Sequence, residues 1–226
     1  MRITWLSHSC VELVESMNIL VDPYIEGNPL APRAVEDFDP DIIAVTHGHA
    51  DHIGNAVDIS KRTGCKVITI AEVARYVINL NGKAEGMNIG GSLKVDDVIF
   101  HMTQAIHSSG ITAINPPLNG GYATGFVIDD GTKVYHAGDT ALFSDIKLIG
   151  DLYRPDVAFL PIGGRYTMGP KEAAIATSWI RPQIAIPIHY NTWPAIEQDP
   201  SKFQSLVETL CDTEVAIMKV GETIEC

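Results

Sequence analysis

Three of the chain's eight histidines fall within one short stretch, Thr46-His47-Gly48-His49-Ala50-Asp51-His52. Imidazole nitrogens and a carboxylate are donors that transition-metal ions accept. The stretch closes an apolar run, Ile42-Ile43-Ala44-Val45. At the end of an extended run side-chain direction alternates with a period of two, so His47 and His49 point the same way and can share one ion. The chain then turns and presents Asp51 and His52, which can hold a second ion close by. A solvated polar loop is the ordinary reading of a single histidine here. HxHxDH at the end of a buried strand is too dense a donor set for that reading.

Four side chains do not fill two metal sites, so further donors must come from later strand ends. His107 follows Met102-Thr103-Gln104-Ala105-Ile106, Asp139 follows Val134-Tyr135-His136-Ala137-Gly138, and His189 closes Ile184 to Ile188. Gly138 lets the backbone turn close to a ligand. Singly, each of the three is an ordinary polar residue at the rim of a core. Their common position at strand ends makes them candidate ligands.

The elements that must deliver these residues are legible in the hydrophobic pattern. Ile3 to Leu6, Val11 to Val14 and Asn18 to Val21 read as short strands of a meander. Pro23 to Pro40, with its four prolines, reads as a loop. Three segments, Asp39 to His47, Arg154 to Pro161 and Arg181 to His189, share one design, a proline followed by an unbroken apolar run. Such runs suit strands covered on both faces. They alternate with helical patterns at Ile53 to Arg62, Ala71 to Leu80 and Pro170 to Ile180, and with one opened by Asp199-Pro200. Ser92 to Val134 returns to short strands, broken by a loop at Asn115 to Gly121. The expectation is a layered α/β domain over residues 1–226, with ligands at the C-terminal edge of its sheets.

Composition narrows the partners. With 46% hydrophobic and 19% charged residues, the chain has material for a sizeable core. The net charge of −12 comes without a basic block, which argues against nucleic acid and anionic membranes and for a small-molecule partner. Cys10, Cys65, Cys211 and Cys226 form no CxxC and no regular spacing, as expected of a reduced, cytoplasmic protein. The chain opens on a strand pattern rather than a signal peptide or membrane span. Oligomeric state is not written in the sequence, and a homo-oligomer is compatible with it.

Asp22 in Leu20-Val21-Asp22-Pro23, the HxHxDH motif, His107, Asp139 in Ala137-Gly138-Asp139-Thr140, and His189 together resemble the metallo-β-lactamase superfamily over nearly the whole chain. Within it the sequence is most similar to the small metal-dependent hydrolases related to ascorbate-6-phosphate lactonase and N-acylphosphatidylethanolamine phospholipase D. The resemblance implies a four-layered αββα sandwich. It implies that His47, His49 and His107 bind one ion, that Asp51, His52 and His189 bind the other, and that Asp139 bridges them. Asp22 would orient the ligand loop without being a ligand. The donors are imidazole and carboxylate only, so Zn2+ is the first expectation, with Mn2+ and Fe2+ chemically compatible.

The activity implied is hydrolysis of a small ester, lactone or phosphodiester by a metal-bridged hydroxide, with Asp51 handling its proton. The alternative is a non-catalytic binding or sensor protein that retains the site. His8, Tyr190 and Asn191 are candidate donors of the leaving-group proton, while His101 and His136 read as structural. Arg165, in the glycine-bearing turn before the helix at Pro170, is a candidate clamp for an anionic substrate group, helped by the free N–H groups of that helix.

Overall fold

The computed structural model describes residues 1–226. In chain order the first half comprises β1 (Arg2–Trp5), β2 (Val11–Val14), β3 (Asn18–Val21), β4 (Ile42–Ala44), α1 (Ala50–Ile53), α2 (Ala56–Thr63), β5 (Lys66–Ile70), α3 (Ala71–Asn79) and β6 (Lys83–Met87). The second half comprises β7 (Ser92–Val95), β8 (Val98–Gln104), the short pair β9 (Gly110–Ile111) and β10 (Leu118–Asn119), β11 (Thr124–Asp130), β12 (Thr132–His136) and α4 (Ile146–Tyr153). It continues through β13 (Val157–Pro161), α5 (Pro170–Ile180), β14 (Ile184–Ile188), α6 (Pro200–Leu210), β15 (Glu214–Val215) and β16 (Thr223–Glu225).

Two seven-stranded sheets result, ordered β16-β1-β2-β3-β4-β5-β6 and β15-β14-β13-β12-β11-β8-β7. Each passes from an antiparallel to a parallel part. In the first, β1, β2 and β3 pair antiparallel and β3 to β6 parallel. In the second, β7, β8, β11 and β12 pair antiparallel and β12 to β15 parallel. Burial follows this division. β2 alternates, whereas β4 and β13 are buried at every residue. A strand with cover on both faces needs an unbroken apolar run, which is the pattern the sequence carries there.

Side chains of both sheets merge into one buried cluster, with α2 and α3 against β5 and β6, and α5 and α6 against β13 and β15. This is the expected αββα sandwich. The last strand belongs to the opposite sheet from the elements just before it. β16 pairs with β1, Ile3 facing Ile224, and the N-terminal amine donates to the carbonyl of Cys226 at 2.6 Å. No helix is long and apolar enough to cross a membrane.

The helix expected over Ile53 to Arg62 is instead two, broken at Gly54-Asn55. Gly54 has φ +40°, and a Cβ there would lie 2.2 Å from the Pro23 carbonyl oxygen. Asn55 N donates to that same oxygen at 2.9 Å, and Asn55 Oδ1 accepts from the backbone N–H groups of Ile25 and Glu26. The loop after β3 thus crosses directly over the break. The first piece, α1, begins earlier than expected and carries Asp51 and His52 on its single turn.

Candidate metal centre

β4 ends at Ala44, and the backbone leaves the sheet through Val45 and Thr46 into the histidine motif. Asp22, just beyond the neighbouring parallel strand β3, is fully buried and gathers three donors. Its Oδ1 accepts from Thr46 N at 2.7 Å, and its Oδ2 accepts from Thr46 Oγ1 at 2.7 Å and from His52 Nδ1 at 2.7 Å. A carboxylate can only accept, so His52 carries its proton on Nδ1 and aims the Nε2 lone pair into the site. The Thr46 hydroxyl gives its one proton to Asp22. It must therefore accept from His47 Nδ1, 3.0 Å away, which leaves the lone pair of His47 on Nε2 as well.

The other donors arrive from the second sheet. Gly138, between β12 and Asp139, has φ +60°, and a Cβ there would lie 2.9 Å from the Cβ of Thr46. Only glycine allows Asp139 to approach the motif this closely. Asp139 Oδ1 lies 3.3 Å from His52 Nε2, while Oδ2 lies 3.1 Å from His189 Nε2 and 3.5 Å from His107 Nε2. His189 follows β14 in a left-handed conformation, φ +55°, pinned by its N–H to the His8 carbonyl.

Three sets of ligand atoms lie within 4.8 Å of one another: His47, His49 and His107; His8, Asp51, His52 and His189; and His47, His52 and Asp139. These sets overlap through His47 and His52, with Asp139 between them. The seven candidate ligands are thus brought together.

The residues fit divalent cations. His52 Nε2, Asp139 Oδ1 and His189 Nε2 are buried with no hydrogen-bond partner, although buried polar atoms are otherwise almost always paired. His47 Nε2 and His49 Nδ1 face each other at 2.9 Å, a separation that needs a cation or a proton between two lone pairs. Charge balance points the same way. Burial opposes a charged His52, but Asp139 and Asp22 outweigh it and raise its pKa well above the ordinary histidine value. Burial also opposes the Asp139 carboxylate, yet His189 and His52 hold its pKa well below the usual range. Asp22 and Asp139 favour positive charge at His52, while burial and the neighbouring imidazoles keep His47, His49 and His107 neutral and able to ligate.

His8 is the residue the sequence places least well. Its Nε2 lies 3.2 Å from Asp51 Oδ2 and its Nδ1 2.9 Å from Thr192 Oγ1. Burial, then repulsion from His189, pushes its pKa down to about 4. It is therefore a neutral imidazole that donates to Asp51 and accepts from the Thr192 hydroxyl. The contact with Asp51 is a hydrogen bond rather than an ion pair.

Comparison with known proteins agrees with this geometry. The sequence profile of the beta-lactamase superfamily domain matches residues 17–190. The chain belongs to this superfamily. Within it, the UPF0173 metal-dependent hydrolase of Methanosarcina mazei is 50% identical over 226 residues, covering 100% of this chain and 98% of that protein. That of Methanopyrus kandleri is 49% identical over 229 residues, covering 100% of both. The chain is a member of this metal-dependent hydrolase family. Among solved structures, Igni18, a metallo hydrolase from Ignicoccus hospitalis, superposes with a TM-score of 0.89 at 40% identity, over 99% of this chain and 97% of that one. The Bacillus subtilis protein YhfI, 15% identical with a TM-score of 0.74, shares the superfamily fold.

Other candidate residues lie at the edge of the site or away from it. Tyr190 is turned away and stacks on Trp5, ring centroids 5.5 Å apart. Asn191 Oδ1 accepts from Gln198 N instead of reaching the site. Arg165 is exposed beside Tyr166, its guanidinium 5.5 Å from the ring centroid, and it is Tyr166 that lines the cleft. At the N-terminus of α5, Glu172 Oε2 accepts from Gly169 N at 3.2 Å, so a carboxylate lies against the first turn. Glu172, three residues after the N-cap Gly169, supplies only the acceptor half of a capping box. His136 donates to the Ser9 carbonyl and His101 meets Ser92, both structural as expected. The sequence reading gave no role to Thr46, whose position directly before His47 at a buried strand end required a partner for its hydroxyl.

Proposed function

We propose that this protein is a dinuclear metal-dependent hydrolase of a small ester, lactone or phosphodiester. The observation that carries the reading is the convergence of buried, unpartnered donor atoms of His52, Asp139 and His189 beside the His47, His49 and His107 cluster. His47, His49 and His107 would hold one ion, and Asp51, His52 and His189 the other, with Asp139 available to both. Zn2+ suits the all-imidazole and carboxylate set. When bound, the ions supply Lewis acidity and lower the pKa of bound water to about 7.

The chain's own groups do the rest. Asp22 holds the Nδ1 proton of His52 directly and that of His47 through Thr46, so Nε2 is the atom each presents to the site. Asp51 is the one partly exposed carboxylate of the set, which suits it to take the proton of the attacking water. His8, donating to Asp51 Oδ2, holds that carboxylate in place, and Thr192 holds His8.

The purified protein should contain up to two transition-metal ions per chain by elemental analysis, and chelation should abolish turnover on a panel of esters, lactones and phosphodiesters. Metal-free protein with chelator-insensitive activity would overturn the reading.

A further inference from the structure

The cleft over the ligand cluster encloses about 540 Å³, within the range of small-molecule sites. Three aromatic rings line it, each carried by a different loop at a strand end: Tyr24 after β3, Tyr166 after β13 and Trp193 after β14. Two are anchored on His8, whose ring centroid lies 4.8 Å from that of Trp193 and 5.7 Å from that of Tyr24. The Tyr24 hydroxyl is tied to the Gly27 carbonyl at 2.7 Å, so its ring is fixed. Tyr166 is 50% exposed and owes little to the core.

The lining also includes the small, neutral Ala50, Ser108 and Thr112, with Ser108 Oγ 3.2 Å from His49 Nε2. No lysine or arginine lines the cleft. Arg165 is exposed beside Tyr166 and outside the lining, and the Glu172 carboxylate lies against the first turn of α5. The adjoining groove beyond Trp193 carries Glu197 and Asp199 as well as Lys202. The chain as a whole is at −12 and repels anions at long range.

Resting on the hydrolase reading above, we propose that the substrate is an uncharged molecule whose non-reacting part is a planar, apolar group held by Tyr24, Tyr166 and Trp193. A carboxylate or phosphate remote from the reacting centre would meet aromatic rings and no lysine or arginine of the lining. Aromatic rings, in contrast, supply stacking area and edge contacts to such a group.

Phenylacetone and 4-carboxyphenylacetone, which carry no hydrolysable bond, test this by calorimetric titration of metal-loaded protein. Phenylacetone should bind at least about tenfold more tightly than its carboxylate. Tyr166→Ala and Trp193→Ala should each weaken phenylacetone about three- to tenfold, and Arg165→Ala should change neither ligand. Tyr166→Ala, at a half-exposed position, should keep the wild-type unfolding midpoint, so that its loss reads as binding. Equal or tighter binding of the carboxylate, a selective loss of it in Arg165→Ala, or no binding of either compound would overturn the proposal.

Turnover separates the two readings. Protein that binds phenylacetone as expected but hydrolyses no member of the substrate panel overturns the hydrolytic function and leaves the substrate class standing. Faster hydrolysis of 4-carboxyphenyl acetate than of phenyl acetate supports the function and overturns the substrate class.

Discussion

Asp22 is assigned no ion, yet three donors depend on it. Asp22→Ala should strand Thr46 N, Thr46 Oγ1 and His52 Nδ1 in a fully buried place, at a cost of about 3 kcal/mol or more in denaturant unfolding. It should also weaken metal binding about 10- to 100-fold, because a ligating imidazole loses the partner that sets its tautomer. Wild-type affinity in that variant would remove its orienting role. Asp51 stands in contrast, since its side chain is 28% exposed and sits on a single helical turn. Asp51→Asn should cut turnover by at least about 100-fold while moving the unfolding free energy by less than about 0.5 kcal/mol. Near-wild-type turnover would take Asp51 out of the mechanism. Loss of one ion along with turnover would assign it to metal binding instead of proton transfer.

Between β3 and the α1–α2 break, one backbone carbonyl, that of Pro23, receives the Asn55 N–H and leaves no space beside Gly54. Gly54→Ala should therefore cost about 1–3 kcal/mol in unfolding free energy and, by shifting α1, weaken metal binding at Asp51 and His52. An alanine variant with unchanged stability and metal content would show that the crossing is slack. This break was not legible in the sequence, because its cause is a contact with a loop some thirty residues earlier. The fully buried strands β4, β13 and β14 were legible, since two-sided cover demands an apolar run and their ends fix where ligands emerge. α4 was not assigned from the sequence, although Ile146, Ile149 and Gly150 give it a buried face. The directions of Tyr190 and Arg165 were not legible either. Adjacency to His189 or to a glycine turn does not tell which way a side chain leaves the backbone, and at Tyr190 the Trp5 ring decided it.

Across the whole molecule the donors divide by sheet. His47, His49, Asp51 and His52 follow β4 of the first sheet, whereas His107, Asp139 and His189 follow strands of the second. Ions at this seam would join the two halves as well as serve chemistry. At free metal one hundred times its dissociation constant, the native state should gain about 2.7 kcal/mol per site. Chelation should then lower the thermal midpoint and speed amide exchange on both sides of the seam, and metal loss without either change would confine the ions to a catalytic role. The division also has a meaning in time. A ribosome releases the His47–His52 cluster long before His189, so four donors can meet an ion while no second sheet exists to shape its coordination. Refolding from denaturant in equal Zn2+ and Mn2+ should give a different metal content from loading the folded, metal-free protein, and identical contents would show that the finished frame alone selects. If they differ, the identity of the metal is inherited from the moment of synthesis, and a cell sets it through the ions it offers a half-made chain.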